Sequence, residues 1–283
     1  MKKAIVRCCF LVLLLQTVPL ATQLSAQAQN PPRDDTKRSE SATDQPPIPV
    51  DEIVHRFAAQ ETEFKQARDN YTYKQSLHVR EYGRFGGPGG EYIRNSEIVF
   101  TPEGKRFERV TYEPPSTLKQ ISISPEDLAD LENIQPFVLT TEDLPKYELK
   151  YRGREQVDEI TTYVFQVRPR RIEKGQRYFE GTIWVDDQDL QIVKTRGKAV
   201  PDIRSGNREN LFPTFETYRE NIDGHYWFPT YTRADDVLAF KSGSVRVRLI
   251  IRYTDYKQFR VTVRIRGAEK DEPPPQKQKP PER

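Results

Sequence analysis

The sequence predicts a mainly β domain of the α+β kind. A single strongly curved antiparallel sheet forms an unclosed half-barrel, lidded by an N-terminal helix and a second short helix. Three observations predict it. Alternating apolar and polar residues recur between short turn signals along most of the chain, as half-buried strands require. Only two stretches have helical spacing. No Pro-, Gly- or Ser-rich seam divides region 50–266, so its roughly 220 residues read as one domain.

The ends read differently. Lys2, Lys3 and Arg7 precede an apolar run from Cys8 to Leu15, and Ala26-Gln27-Ala28 is a small-residue cleavage pattern, which predicts a signal peptide over 1–28 and a periplasmic or secreted protein. The apolar run is shorter than the ~20 residues that span a bilayer, and Gln16 and Pro19 interrupt the stretch beyond it. Both cysteines lie in this leader, so the mature chain is expected to have no disulfide, thiol nucleophile or cysteine metal site. Without the three basic leader residues, the 45 Lys and Arg fall level with the 42 Asp and Glu, which removes the basic excess that general nucleic-acid binding needs. Residues 29–49 and the Pro-rich 267–283 bury too little to offset their ordering entropy, and are expected to be a disordered linker and tail.

The domain opens with VDEIVHRFAAQETEFKQARDN, where Asp51 is a plausible N-cap and Ile53, Val54, Phe57, Ala58 and Phe64 make one apolar stripe. YTYKQSLHVREY then alternates, with Tyr71, Tyr73, Leu77 and Val79 on one face. EYIRNSEIVF and KRFERVTYE complete a three-strand meander. The second helix is SPEDLADLENIQPF, capped by Ser124 with Pro125 in its first position. Strands resume at YELKYRGREQV and DEITTYVFQVRPRR. In YFEGTIWVDDQDLQIVKTRGK, Phe179, Gly181, Ile183 and Val185 share one face, and Tyr178, Glu180, Thr182 and Trp184 the other. A hairpin turns at Asp223-Gly224. Two closing strands each carry a dry face and a cationic face: Val245 to Tyr253 against Arg246, Arg248 and Arg252, then Phe259 to Ile265 against Arg260, Arg264 and Arg266.

The run Gly181 to Asp186, the run Ile192 to Lys198 and the segment Asp223 to Thr230 (DGHYWFPT) resemble the periplasmic outer-membrane lipoprotein carriers (LolA/LolB-like) and their relatives among envelope-stress sensors. The resemblance implies an unclosed barrel whose concave apolar face holds acyl chains. On that reading Tyr71, Tyr73, Leu77, Phe165, Phe179, Ile183, Val185, Leu249 and Ile251 line the cavity, and Ile53 and Phe57 belong to the lid. Arg246, Arg248, Arg252, Arg260 and Arg264 would meet a lipid headgroup or an acidic partner. The expected partner is an acyl-bearing lipid or lipoprotein, with a membrane-bound partner and peripheral membrane contact as further possibilities, for a monomer without cofactor. The same apolar residues would equally serve as a filled core, and the arginine face as a solvated one.

No catalytic constellation is expected. His55, His78 and His225 lack metal-ligand spacing, and the hydrolase and nucleotide motifs are missing. Glu180 beside Tyr178 and Trp184 would suit a sugar, but a glycoside hydrolase needs a second carboxylate, and none is identifiable. Asp235 and Asp236 read as turn chemistry rather than a cation site. An envelope sensor or scaffold that uses the same fold to hold a protein partner is the alternative to a carrier.

Overall fold

The computed structural model describes residues 46–259 except 84, 85, 102, 104, 135, 206 and 207, all within the unit Ala42–Arg283. The expected leader, most of the linker, the tail, Arg260 and Arg264 lie outside the described residues. Of the linker, Ile48 already packs against the core.

Helix α1 (Val50–Arg68) leads into β1 (Tyr71–Tyr82), β2 (Pro88–Phe100) and β3 (Arg106–Tyr112). Helix α2 (Pro125–Asn133) and a 3-10 turn at Leu144–Lys146 precede β4 (Tyr147–Val157), β5 (Ile160–Pro169), β6 (Tyr178–Asp186) and β7 (Ile192–Val200). A small pair, β8 (Ile203–Ser205) and β9 (Arg208–Asn210), comes before β10 (Phe215–Asn221), β11 (Trp227–Phe240) and β12 (Gly243–Gln258). Ten of these strands form one antiparallel sheet in the order β3-β2-β1-β12-β11-β10-β7-β6-β5-β4. Because β3 and β4 are separate edges, the half-barrel is unclosed, as the sequence predicts.

Two details differ from the sequence reading. The N-cap of α1 is Pro49, and Asp51 and Glu52 sit in the first turn, where their charge favours the helix dipole. TRADD is not a loop: it lies inside the 14-residue strand β11, where Asp235 faces Arg248 across the pair with β12. Two adjacent aspartates are poor strand formers by propensity, but a cross-strand arginine compensates their charge.

Local sequence also shapes the sheet. Gly181 of β6 stands opposite Gly197 of β7. A Cβ on Gly181 would lie 2.1 Å from the Arg196 carbonyl oxygen, and one on Gly197 would lie 2.6 Å from the Phe179 ring. The two strands therefore approach more closely than side chains permit. Gly90 plays a similar role in β2, since its Cβ would fall 1.9 Å from the Thr117 carbonyl oxygen. It admits a strap, residues 114–124, against the sheet end.

Candidate ligand groove

The concave face has two halves. Over β4–β7 and β10, α1 lies in the trough and fills it. Its residues Ile53, Phe57 and Ala58 are all 0 % exposed in the main core, and the Phe57 ring meets Phe165 at 5.6 Å; Phe64, equally buried, packs instead with Phe228 of β11. The segment after α2 adds Phe137, stacked 4.2 Å from Phe179, and the fully buried Leu139.

One polar pair crosses this interior. Glu61 falls within the apolar stripe of α1, and Arg219 points inward from β10; Arg219 donates to both Glu61 carboxylate oxygens at 2.9 and 3.1 Å. The Ile192 amide donates to the same carboxylate at 3.0 Å, and Arg219 also donates to the Phe137 carbonyl. Burial pushes the Glu61 carboxyl up, while Arg219 and the Ile192 amide pull it back. Such a pair contributes register more than net stability, because desolvation offsets its Coulomb gain.

Over β1, β2, β11 and β12 the cover is thinner. Helix α2 has nine residues, and a groove opens on each side of it. The first, 290 Å³, is bordered by Tyr73, Leu77, Ile98, Leu128, Leu131 and Tyr253, among others. The second, 250 Å³, runs past Val79, Ile121, Ile123, Leu131, Phe212 and Leu249. Leu131 borders both, so α2 is the partition between them. These volumes sit at or just below the lower end of small-ligand pockets, about 300–1,000 Å³.

Polar contacts set the position of α2 and its strap. Ser124 and Asp127 form a capping box. Arg177 donates to Asp130 at 2.6 Å and to Asn210 at 2.9 Å, and Asn210 donates to Asp127 at 2.9 Å. Burial pushes the Asp130 carboxyl up against the pull of Arg177. Glu81, buried at the inner face of β1, accepts the amides of Lys119, Gln120 and Ile121 at 2.7, 2.9 and 3.2 Å. A side chain on the sheet thereby satisfies three backbone donors of the strap, which would otherwise be orphaned.

The residues expected to line a cavity divide between the halves. Tyr73 and Leu77 border the first groove, and Leu249 the second. Phe165, Phe179, Ile183, Val185 and Ile251 are fully buried in the main core. Tyr71 packs with Phe64 and Phe228 in a separate cluster. Ile53 and Phe57 of α1 lie in the filled half. Sequence reasoning missed Arg68, Leu128, Leu131 and Tyr256. The apolar pair Leu128 and Leu131, three apart on a predicted helix, was the available signal.

Of the expected arginines, Arg246, Arg248 and Arg252 lie on the convex face, and each is engaged. Arg246 and Arg248 donate to Asp235 at 2.8 and 2.9 Å, and Arg252 lies over the Tyr231 ring at 5.6 Å. Hydrogen bonds from Arg246 and Arg248 hold the Asp235 carboxyl down to about 2. Trp184 faces away from the main core, as read from sequence, but packs with Val164 and Val193 and donates to Glu155 at 2.7 Å. Tyr178 instead joins the main core near Tyr147, so it is not a neighbour of Trp184. Among the described residues no cluster of three His, Cys, Asp or Glu could hold a metal ion, and no helix is long and apolar enough to cross a membrane.

Fold and grooves together define a class: an unclosed antiparallel half-barrel with one helix sealed inside and grooves of mixed apolar and polar lining beside a second. The chain matches no protein-family model and no curated protein. Among solved structures it is similar to a DUF1329 family protein from Desulfovibrio piger, at 16% identity and a TM-score of 0.36 over 74% of this chain and 93% of that one. It is similar to a LolA superfamily protein from Nitrosomonas europaea, at 16% identity and a TM-score of 0.32 over 72% of this chain and 95% of that one. It is also similar to an outer-membrane lipoprotein-sorting protein domain from Vibrio parahaemolyticus, at 11% identity and a TM-score of 0.32 over 70% of this chain and 91% of that one.

Proposed function

We propose that this is a non-enzymatic, periplasmic or secreted binding protein that takes an acyl-bearing ligand, a lipid or a lipoprotein, on the concave face beneath α2. The observation that carries the proposal is the pair of grooves that share Leu131 as their partition and each carry a run of apolar side chains along the sheet and α2. Each acyl CH₂ moved from water into such a groove contributes about 0.8 kcal/mol. An outward shift of α2 would join the grooves into one longer trough, which makes α2 the element that admits a chain. The filled half supplies the rigid wall against which it moves.

Native mass spectrometry of the purified protein, with organic extraction, tests this. A bound acyl compound is expected, together with uptake of a fluorescent fatty-acid probe. Leu128→Arg and the groove-filling Ala129→Trp should both abolish uptake, while Val237→Arg, at a residue 57% exposed on β11, should not. An empty protein that also refuses the probe would sink the proposal.

A second reading has its own observation. The edge strand β3 exposes Phe107, Val110 and Tyr112 at 43, 40 and 54%, and strand addition at such an edge is a recurrent way to hold a protein partner. A sensor or scaffold of that kind predicts loss of partner capture on Val110→Pro, with probe uptake unchanged.

A further inference from the structure

The first groove has a polar end with specific chemistry. Arg68, the last residue of α1, borders this groove and also the adjoining 490 Å³ cleft, which Lys65, Asp143, Lys146 and Glu173 share. Its Nε is buried without a hydrogen-bond partner; its guanidinium lies over the Phe64 ring at 5.9 Å, and its charge reaches the Glu61 carboxyl that Arg219 holds. Its neighbours inside the half-barrel are different. Arg219 is held by Glu61 at 2.9 Å, Arg177 by Asp130 at 2.6 Å, and Arg94 by Glu108 and Glu113 at 3.1 and 3.2 Å.

The helix dipole favours a cation in the last turn of α1, which accounts for the charge of Arg68. It does not account for a shielded Nε that donates to no acceptor, which costs free energy until one meets it. Phenol groups surround this position. Tyr73 lies 6.1 Å from Tyr253 and 5.1 Å from Tyr256 between ring centroids, and the charge of Arg68 acts on both the Tyr253 and Tyr256 hydroxyls. Tyr256 donates to the Pro229 carbonyl at 2.6 Å. Tyr253 Oη is buried near Thr232 but meets no partner of hydrogen-bonding geometry among the described residues. One buried cationic donor, Arg68 Nε, thus borders a groove lined by both apolar and polar residues. The carboxylates that border it do not compensate Arg68: Glu108 is engaged by Arg94, and Glu132 is exposed.

We infer that the first groove binds an anionic amphiphile, with a carboxylate or phosphate oxygen on Arg68 and the chain along Leu77, Ile98, Leu128 and Leu131. This rests on the acyl-binding reading above and adds the chemistry of the headgroup. A guanidinium suits either anion because its planar donors match paired oxygens.

Calorimetric titration of the full chain with decanoate, decyl phosphate, decanol and inorganic phosphate tests the inference. Decanoate or decyl phosphate should bind about ten- to a hundred-fold tighter than decanol, the range expected of one charge-assisted hydrogen-bonded contact. Arg68→Gln should bring the anions to the affinity of decanol and leave decanol unchanged, and Arg68→Lys should restore part of the preference. Which anion binds tighter identifies the headgroup as carboxylate or phosphate. Equal binding of decanol and both anions by the unaltered protein, or an anion preference that survives Arg68→Gln, would overturn the inference and leave the apolar groove standing. Inorganic phosphate binding as tightly as decyl phosphate would make this a free-anion site and overturn the amphiphile. Failure of all three chain-bearing probes would overturn the acyl-binding reading with it.

Discussion

The half of the sheet under α1 and the half under α2 are built from the same kind of strand but differ in what fills them. In both, apolar residues alternate with polar ones and point inward. Under α1, a 19-residue helix that buries Ile53, Phe57 and Ala58 occupies the trough, and the inward residues of β5 and β6 become solid core. Under α2, nine residues and a strap cover a similar width, and grooves remain on both sides. The inward face of a strand is therefore wall or core according to the volume of the element laid over it, since interiors fill to crystal-like density wherever side chains are available.

Removing the polar lock of the filled half should have the largest effect. Glu61→Ala leaves Arg219 buried and unpaired, and we expect a loss of about 3–5 kcal/mol in urea unfolding. The apolar double variant Glu61→Leu with Arg219→Met should recover most of it; no recovery would mean that the pair does more than fix the register of α1.

Equivalent truncations in the two halves sharpen the contrast. Phe57→Ala, in the filled half, should cost about 3–5 kcal/mol, and Leu128→Ala, beside a groove, on the order of 1–2, because an existing void leaves fewer contacts to lose. Equal losses would erase the distinction.

The strap is the next test. Glu81→Gln keeps the shape but offers only one carbonyl oxygen to the amides of residues 119–121, so a loss of about 1–3 kcal/mol is expected. Hydrogen exchange should accelerate at those amides and not at the β5–β6 pair. Uniform acceleration would show that the two halves open together.

The smallest effect belongs to the convex face. The Asp235 carboxyl is held low by Arg246 and Arg248, so its contribution is present above the ordinary aspartate range and is lost as pH falls toward about 2. Because these groups are half-exposed, Asp235→Asn should leave neutral-pH melting nearly unchanged and flatten only the acid limb of the stability curve. A large neutral-pH loss would make the arginine face structural.

Much of the architecture is readable from residue order. The alternation Tyr71, Tyr73, Leu77, Val79 marks β1, the Asp223-Gly224 pair marks a hairpin, and Ser124-Pro125 with Asp127 marks the start of α2, because each is a local backbone preference. The candidate groove is less readable. Leu77 and Leu249 are placed by their strand faces, but Arg68 looks like any basic residue in a last helical turn, and nothing in its local sequence marks that Glu61, seven residues earlier, is held by an arginine 158 positions away from it. Glu81 likewise looks like an outlier in an apolar face until the strap amides arrive to meet it.

The sequence by itself determined the ten strands of the main sheet, both helices, the turn at Asp223 and most of the inward set of side chains, though not β8, β9 or the burial of Tyr178, since those it determined depend on periodicities of two and 3.6 and on turn chemistry. The tertiary structure decided which inward residues became core and which border space, which arginines are paired, and that TRADD is a strand rather than a turn. These depend on what contacts each face from distant parts of the chain, and the residue that fills or neutralises a position carries no mark of that partnership in its own neighbourhood.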